Sequence, residues 1–330
     1  MLAKPGTTVF IRGCNYHHAN QQVSAQETAA APIVFTNYPG ELPVLDGNGI
    51  SLLQNLSILM ITSSSDVTVH GLEVAGSTAR GVDVYGGDHV TISGCKIHDT
   101  YNRALGAEGD DVTFDSNEVY NAVMNNQYSL STTGWAAAVG FWLKPDNSFV
   151  TNATLTNNNV HDSWGECVVT FFVNGGIVAK NQIHDCWNTN LYLDHSASIL
   201  VDRNDVYATT DDYSKPSTRT RATGIGLSLE YYSGIATPAL DAITITNNLV
   251  GNVGLGINYW GATGNSASTN TCRNVKVENN VVTGTACAAI TGFQLKGGSP
   301  CHATGTATTA DFWNTPRSGS HPSVGIHEAN

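Results

Sequence analysis

Short runs of alternating apolar and polar residues recur along most of the chain, and each ends near a Gly, Asn or Asp. Runs such as "HGLEVAG", "SGCKIHD", "TNNNVHD" and "AKNQIHD" align on one β-branched residue. The aligned residues are Val74, Ile97, Val119, Val160, Ile183, Val206, Val250 and Val282. Their successive spacings are 23, 22, 41, 23, 23, 44 and 32 residues. Period-two alternation bounded by turn residues predicts short strands, and such a repeat predicts a solenoid. We therefore expect an all-β, right-handed parallel β-helix with 22–23 residues per coil and inserted loops.

Two polar features repeat with the coils. Six coils place an asparagine two residues before the anchor: Asn117, Asn158, Asn181, Asn204, Asn248 and Asn280. Because stacked strands lie about 4.8 Å apart, identical side chains at this position predict a ladder of amide hydrogen bonds. The "HD" pairs at residues 98–99, 161–162 and 184–185 also recur at one position in the coil. We interpret both features as structural.

A second strand in each coil predicts one packed face and one exposed face, because alternate side chains point in opposite directions. The residues expected to point inward are Val82, Val84, Leu105, Ala107, Phe141, Leu143, Val169, Phe171, Leu191, Leu193, Leu227, Leu229, Ile257 and Tyr259. Those expected to point outward are Asp83, Tyr85, Glu108, Trp142, Lys144, Thr170, Phe172, Tyr192, Asp194, Ser228, Glu230, Asn258 and Trp260. The outward set is rich in carboxylates and aromatic rings.

Three of the acidic residues suggest catalysis. Counting along the strands places Phe172, Asp194 and Glu230 at one position, so Asp194 and Glu230 should be neighbours on adjacent coils, with Glu166 on the coil before. Two carboxylates about 5 Å apart cannot both ionise easily, so the pKa of one should rise. A protonated carboxylic acid beside a carboxylate is the pair that glycoside hydrolysis needs, and this spacing favours retention.

The residues around these carboxylates suggest a sugar-binding groove. Exposed rings need a partner, and three long insertions at 125–135, 209–224 and 261–274 begin beside them and should wall a cleft. The candidate substrate-binding residues are Trp142, Lys144, Tyr192, His195, Trp260, Phe172, Asp83 and Glu108.

Charge and composition narrow the partners. The 330 residues carry a formal net charge of -12 and have no basic run, which disfavours nucleic acid and anionic membranes. No stretch approaches the roughly 20 apolar residues of a membrane span. Pro5 and Gly6 interrupt the opening "LAKPGTTVFIRG", which is not a signal peptide. We expect an extracellular protein whose signal peptide is not part of this sequence.

The seven cysteines form no CxxC pair. We expect the last three to hold one disulfide and the others to be buried thiols.

The two ends of the chain resemble a known superfamily. "KPGTTVFIRGCNY" and "APIVFTNYPGELPVLDGNG" resemble the opening coils of pectin-lyase-like right-handed β-helix proteins, and "GSPCHATG…DFWNTPRSGSHPSVGIHE" resembles their ending. The resemblance implies one β-helix domain over 1–330, with N-terminal coils at 1–56, regular coils at 57–295 and a terminal cap at 296–330. That superfamily includes polysaccharide lyases, glycoside hydrolases, epimerases, adhesins and tailspikes, so the fold does not choose the activity.

Three functions remain open. The first is a glycoside hydrolase that needs no cofactor or metal, with Asp194, Glu230 and Glu166 acting on a poly- or oligosaccharide. The second is a polysaccharide lyase, in which a base removes the proton beside a uronate carboxylate and a cation neutralises that carboxylate. The resemblance implies Lys or Arg as its base and Ca²⁺ as a metal that acidic residues would hold. The third is a non-catalytic carbohydrate-binding or adhesin module.

Overall fold

The computed structural model describes residues 4–25, 27–127, 136–214, 220–230, 232, 240–262, 272–284 and 288–291. These ranges contain one short 3-10 helix, η1 (Met124–Asn126), and 31 strands. In chain order the strands are β1 (Thr8–Ile11), β2 (Asn15–Tyr16), β3 (Gln21–Val23), β4 (Ile33–Asn37), β5 (Val44–Asp46), β6 (Ser57–Thr62), β7 (Ser65–His70), β8 (Glu73–Ser77), β9 (Arg80–Ser93), β10 (Lys96–Thr100), β11 (Leu105–Asp110), β12 (Thr113–Asp115), β13 (Glu118–Ala122), β14 (Ala137–Phe141), β15 (Val150–Thr156), β16 (Asn159–Ser163), β17 (Glu166–Phe171), β18 (Val173–Ala179), β19 (Gln182–Cys186), β20 (Thr189–Asp194), β21 (Ala197–Asp202), β22 (Asp205–Tyr207), β23 (Thr223–Leu229), β24 (Leu240–Asp241), β25 (Thr244–Thr246), β26 (Leu249–Gly251), β27 (Leu255–Ala262), β28 (Cys272–Arg273), β29 (Lys276–Glu278), β30 (Val281–Thr283) and β31 (Ala288–Thr291).

The strands stack into three parallel ladders. The first ladder, called the site face below, runs β3, β6, β9, β11, β14, β17, β20, β23, β27, β31. The second contains β1, β4, β7, β12, β15, β18, β21, β24, β25, β28 and β29, and the long strand β9 joins it to the site face. The third is a separate sheet, β2-β5-β8-β10-β13-β16-β19-β22-β26-β30. Each coil contributes to all three, which is the predicted right-handed parallel β-helix.

The interior is built from columns of apolar side chains that repeat coil after coil. On the site face one column is in continuous register and nearly inaccessible to solvent: Val82, Leu105, Val139, Val168, Leu191, Ile225 and Ile257. On the third face the anchors pair in register at the predicted spacing, for example Val160 with Ile183 and Ile183 with Val206. Burial of this apolar surface is the main favourable contribution to folding.

The asparagine ladder is confirmed. Each amide donates from Nδ2 to Oδ1 of the next asparagine, at 2.9 Å from Asn117 to Asn158 and at 3.0 Å from Asn158 to Asn181, and the series continues to Asn280. The same Oδ1 atoms accept backbone N–H groups, as Asn204 Oδ1 does from Asn181 N. Buried amides of this kind are tolerated because their donors and acceptors are satisfied.

The "HD" pairs are structural, as predicted. The rings of His98, Tyr120, His161, His184 and Tyr207 form a continuous stack along the third face, with centroids 4.5–5.3 Å apart. The Nδ1 atom of each histidine lies 2.7–2.8 Å from a carboxylate oxygen of the aspartate that follows it. These histidines are therefore occupied by packing and by a local hydrogen bond.

The predicted direction of the side chains in β17 is wrong. Val169 and Phe171 were expected inside, but the register places Val168 and Thr170 inside, opposite Leu191 and Leu193. Phe171 then faces outward opposite Asp194. The run "CVVTFF" has no polar alternation, so its pattern alone cannot fix which face is buried. Ser196 satisfies the unexpected interior hydroxyl of Thr170 by a hydrogen bond of 3.0 Å.

Two expectations about the rest of the chain have different outcomes. Cys167 and Cys186 form a disulfide with a Cα–Cα distance of 5.6 Å, so the expectation of thiols at these positions is wrong. The predicted cap at 296–330 lies outside the described residues, as do Cys287 and Cys301 and much of the three insertions.

Candidate active site

A cavity of about 900 Å³ opens on the site face. Strands β14, β17, β20, β23 and β27 contribute to it, together with the residues that directly follow β14 and β23. Its lining consists of three carboxylates, six aromatic or large apolar side chains and small polar or alanine residues: Glu166, Asp194, Glu230, Trp142, Val169, Phe171, Tyr192, Tyr232, Trp260, Asn188, Ser228, Ala136 and Ala137.

Two glycines make room for the two tryptophans: Gly226 in β23, the strand next to that of Trp260, and Gly140 in β14, the strand that Trp142 follows. A Cβ added to Gly226 would lie 2.5 Å from the Trp260 ring, and one added to Gly140 would lie 3.2 Å from the Trp142 ring. Trp260 remains 44% exposed, and its ring meets that of Tyr192 edge to face at 5.5 Å. Large rings held over glycines at the mouth of a cavity suit the apolar C–H faces of sugars.

Asp194 and Glu230 are linked through one phenol. The Tyr232 hydroxyl lies 3.2 Å from Asp194 Oδ2 and 3.0 Å from Glu230 Oε2. Asp194 Oδ2 and Glu230 Oε2 are therefore at most about 6 Å apart, since both oxygens lie within hydrogen-bond distance of the same hydroxyl. The register differs from the predicted one, because β20 places Asp194 opposite Ser228, two residues before Glu230.

Counting the hydrogens that the side chains around Asp194 and Glu230 can donate shows how many their hydrogen bonds require. Four contacts need one hydrogen each: His195 Nδ1 to Asp194 Oδ1, the two contacts of Tyr232, and Tyr192 Oη to Glu230 Oε1. The imidazole and the two phenols supply three hydrogens. A fully hydrogen-bonded network therefore holds one further proton on the Asp194–Glu230 pair. In that network one carboxyl group of the pair donates a hydrogen bond and the other only accepts.

Glu166 is the most perturbed acid of the cavity. It begins β17, pairs with Ala137 of β14 and is only 8% exposed. Burial, followed by the charges of Asp194 and Glu230, raises the pKa of Glu166 to about 8, while Asn188 opposes the shift through a hydrogen bond. Glu166 is therefore protonated and uncharged at neutral pH, which is the state of a general acid ready to donate a proton.

Asp194 is buried beside a histidine. It is 1% exposed, and burial raises its pKa, whereas the hydrogen bond from His195 lowers it. Burial and the neighbouring carboxylates also raise the pKa of Tyr192 and of Tyr232, so both phenols keep their protons.

Three predicted substrate-binding residues do not reach the cavity. Asp83 and Glu108 are bound to the buried Arg103, at 2.6 Å from its Nε and 2.7 Å from its Nη2. Lys144 Nζ lies 2.6 Å from Asp110 Oδ2. All three lie outside the cavity lining, and each is held there by an ion pair: Asp83 and Glu108 with Arg103, and Lys144 with Asp110. Arg103 does contact the site indirectly, with its guanidinium 4.4 Å from the Trp142 ring centroid.

Two further predictions need correction. Phe172 is not on the groove: it occupies the corner between β17 and β18 with φ 56° and is 1% exposed. His195 occupies the same corner one coil later, is fully buried, and reaches the cavity only through Asp194. The predicted alternation in this coil was one residue out of register, so Phe172 was predicted at the outward position that Phe171 occupies.

Trp142, Tyr192 and Trp260 line the cavity with Asp194 and Glu230, as the outward pattern predicted, and Glu166 joins them from the start of β17. The predicted site residues did not include several residues of the lining, among them Val169, Phe171, Asn188 and Tyr232. Counting back 23 positions from Asp194 would have found Phe171. Asn188 precedes its strand, and Tyr232 follows β23 and folds back over Asp194. No strand pattern reports on either position.

The carboxylates of the cavity do not form a compact metal site. Among the described residues, the one group of three metal-binding side chains whose donor atoms all lie within 4.8 Å of one another is Asp88, His89 and Asp111. These residues are outside the cavity lining. Glu166, Asp194 and Glu230 do not meet this criterion, so the described residues do not gather around a Ca²⁺ ion there.

The fold and cavity define a right-handed parallel β-helix protein with an acidic, aromatic-walled site on one face. Residues 1–197 match the family model described as "Pel9A-like, right handed beta helix region". The chain therefore belongs to the Pel9A-like right-handed β-helix family, and this membership supports a protein that acts on carbohydrates. No curated protein sequence matches it. Within the described ranges, no helix is long and apolar enough to cross a membrane.

Solved structures with this fold share little sequence with the chain. The complex of XylC with xylose has a TM-score of 0.54 at 9% identity, covering 87% of this chain and 72% of that one. The mannuronan C-5 epimerase AlgE4 A-module of Azotobacter vinelandii has a TM-score of 0.47 at 12% identity, covering 92% and 91%. Pectate lyase Pel9A has a TM-score of 0.45 at 14% identity, covering 99% and 89%. At these identities the likeness concerns the fold alone.

Proposed function

We propose that this protein is a glycoside hydrolase that cleaves a polysaccharide at the cavity on the site face. One observation carries the proposal: a protonated acid, Glu166, and two further carboxyl groups joined through Tyr232, Asp194 and Glu230, line the same aromatic-walled cavity. Glu166 would donate its proton to the departing glycosidic oxygen. The ionised carboxylate of the pair would attack the anomeric carbon or activate a water.

The charge of the cavity supports an uncharged sugar at the cleaved position. Among the described residues, no lysine or arginine lines the cavity. Lys144 is bound to Asp110, Arg103 to Asp83 and Glu108, and Arg221 to Asp211 at 2.5 Å. A uronate carboxylate would therefore enter beside three acidic groups without a cation from the described residues to pair with, which is costly in a site of low dielectric constant.

A polysaccharide lyase is the second candidate, and the family's description favours it because that description refers to Pel9A. Elimination needs a base and a positive group that neutralises the uronate. Burial and the acidic neighbours raise the pKa of both cavity tyrosines, which makes a phenolate base unfavourable. The described part of the cavity supports hydrolysis more directly than elimination.

A panel of glycans separates the candidates. The wild type should release reducing ends from a neutral polysaccharide, such as a xylan, mannan, galactan or arabinan, without forming an ultraviolet-absorbing unsaturated product. Asp194→Asn and Glu166→Gln should each lower kcat by about 10²-fold or more. Asp205→Asn, on the third face, is the matched control and should keep wild-type activity. Unsaturated products from polygalacturonate or alginate would establish a lyase, and glycan binding without turnover would establish a binding module.

A further inference from the structure

The corner that holds His195 is occupied by an aromatic ring in the two preceding coils. Phe149 and Phe172 lie 5.4 Å apart between ring centroids, and Phe172 and His195 are stacked at 4.5 Å with planes 19° apart. Packing alone would therefore be satisfied by phenylalanine at position 195. The imidazole stands in the one coil of this column whose strand ends in an acid of the cavity, Asp194.

The hydrogen bonds of His195 identify its protonated nitrogen. Nδ1 lies 2.5 Å from Asp194 Oδ1, whereas Nε2 is buried and has no hydrogen-bond partner among the described residues. A doubly protonated ring would leave an unpaired cationic N–H in this apolar corner, which costs far more than an unpaired neutral nitrogen. The ring is therefore neutral with its hydrogen on Nδ1, and it can only donate to Asp194.

We propose that His195 is a positioning residue that orients Asp194 and favours its ionised form, so that Asp194 serves as the carboxylate beside the acid Glu166. The proposal rests on the proposed hydrolase function for its catalytic meaning. In this arrangement Tyr232 donates to Asp194 Oδ2 at 3.2 Å. His195 donates to Oδ1, so both Asp194 oxygens accept hydrogen bonds.

This assignment takes account of every titratable group that faces Asp194. On the same strand and its corner these are Tyr192 and His195, and from the neighbouring coils they are Glu166, Glu230 and Tyr232. The carboxyl groups and the burial of the site disfavour a charge on Asp194. His195 has the largest opposing effect on its pKa, with Tyr232 contributing less. Removing the imidazole should therefore make Asp194 hold its proton to higher pH.

Two substitutions separate the hydrogen bond from the packing. His195→Phe keeps the stacked ring, as Phe172 does one coil earlier, but removes the donor. His195→Asn loses the ring but can place an N–H near the position of Nδ1, and asparagine tolerates the corner's φ of 50°. His184→Phe is the matched control, because it breaks a histidine–aspartate bond of 2.8 Å within the stack on the third face, away from the cavity.

The first measurement is the pH dependence of kcat. His195→Phe should move the acidic limb to higher pH by about one to two units, since a hydrogen bond to a charged group is lost. His195→Asn should restore most of the shift, and His184→Phe should leave the profile unchanged. If His195→Phe moves the alkaline limb instead, Asp194 is the proton donor and the assignment is overturned.

The second measurement needs no activity, so it tests the inference even if the proposed hydrolysis fails. Folding stability supplied by a carboxyl group with a raised pKa is lost as the pH rises through the folded-state value. Because His195→Phe raises that value further, its Tm relative to that of His195→Asn, which also has no titratable group at position 195, should fall between pH 4 and pH 8. A Tm difference between these two variants that is the same at both pH values would show that His195 only packs the corner.

Discussion

Replacing Glu166 by Gln should stabilise the protein while removing its activity. Burial and the charges of Asp194 and Glu230 raise the pKa of Glu166 from 4.5 to about 8. In the unfolded chain this carboxyl group titrates near its ordinary value. Between these pH values the unfolded state is ionised while the folded state retains the proton. The stabilising effect of that proton is therefore fully present below the unfolded-state pKa and is lost as the pH rises toward about 8.

The size of the effect follows from the shift. Each pH unit within the window costs the folded state about 1.4 kcal/mol. The accumulated cost is about 1 kcal/mol at pH 5 and about 3 kcal/mol at pH 7. A chain of 330 residues has an unfolding entropy of about 0.7 kcal/mol/K, so 3 kcal/mol corresponds to about 4 °C in Tm. Glutamine has nearly the same shape and no ionisation cost.

Scanning calorimetry of wild type and Glu166→Gln checks this value. We expect the variant to melt about 4 °C higher at pH 7 and about 1 °C higher at pH 5, with kcat lowered by about 10²-fold to 10⁴-fold at both. Glu118→Gln, on the exposed surface of β13, is the control and should change stability by no more than about 0.5 kcal/mol. A variant that is less stable than wild type at pH 7, or that gains equally at both pH values, would refute the reasoning.

Three further predictions follow from the contacts. Asn181→Ala should destabilise the protein by about 2–4 kcal/mol, measured as a lower Tm, because its neighbours in the ladder lose buried partners; Asn280→Ala, at the last position of the described ladder, should cost less. Trp260→Ala should raise KM for the glycan more than it lowers kcat, as steady-state kinetics will show if the ring is a sugar platform. Arg103→Met should cost about 3–5 kcal/mol in urea denaturation, because it leaves the buried Asp83 without its closest cation.

The sequence was sufficient for the fold because the fold repeats. Each coil must place an apolar residue at the same positions, so Val160, Ile183 and Val206 each indicate the same buried position in successive coils. The Asn158 to Asn181 hydrogen bond follows from the same repetition, since identical amides on adjacent coils face each other. Redundancy of this kind allows a single sequence to predict both the architecture and its ladders.

The site was only partly predictable because it depends on departures from the repeat. Alternation correctly placed Tyr192 and Asp194 on the cavity side of β20. In β17, the adjacent apolar residues on either side of Thr170 leave the alternation ambiguous, and Phe172 was predicted to face outward in place of Phe171. Asp83 was correctly assigned to the outer side of its strand, yet Arg103 pairs with it and buries it. Strand phase gives the direction of a side chain and does not give the partner that it meets there.

The corner column explains why the residues of the site are found where the repeat changes chemistry. A solenoid keeps a column uniform when its task is packing, as the phenylalanines at 149 and 172 do. Replacing the next ring by His195 adds no packing, and its Nε2 is left without a partner, so the substitution costs stability unless Nδ1 has a task. Nδ1 donates a hydrogen bond to Asp194. Asp194 belongs to the neighbouring column, in which Phe171 occupies the equivalent position one coil earlier. Two adjacent columns thus change from apolar to ionisable residues in one coil, beside the cavity that Glu166, Asp194 and Glu230 line. Paired changes of this kind, detected by comparing coils within a single chain, are a physical criterion for locating the active site of a β-helix protein.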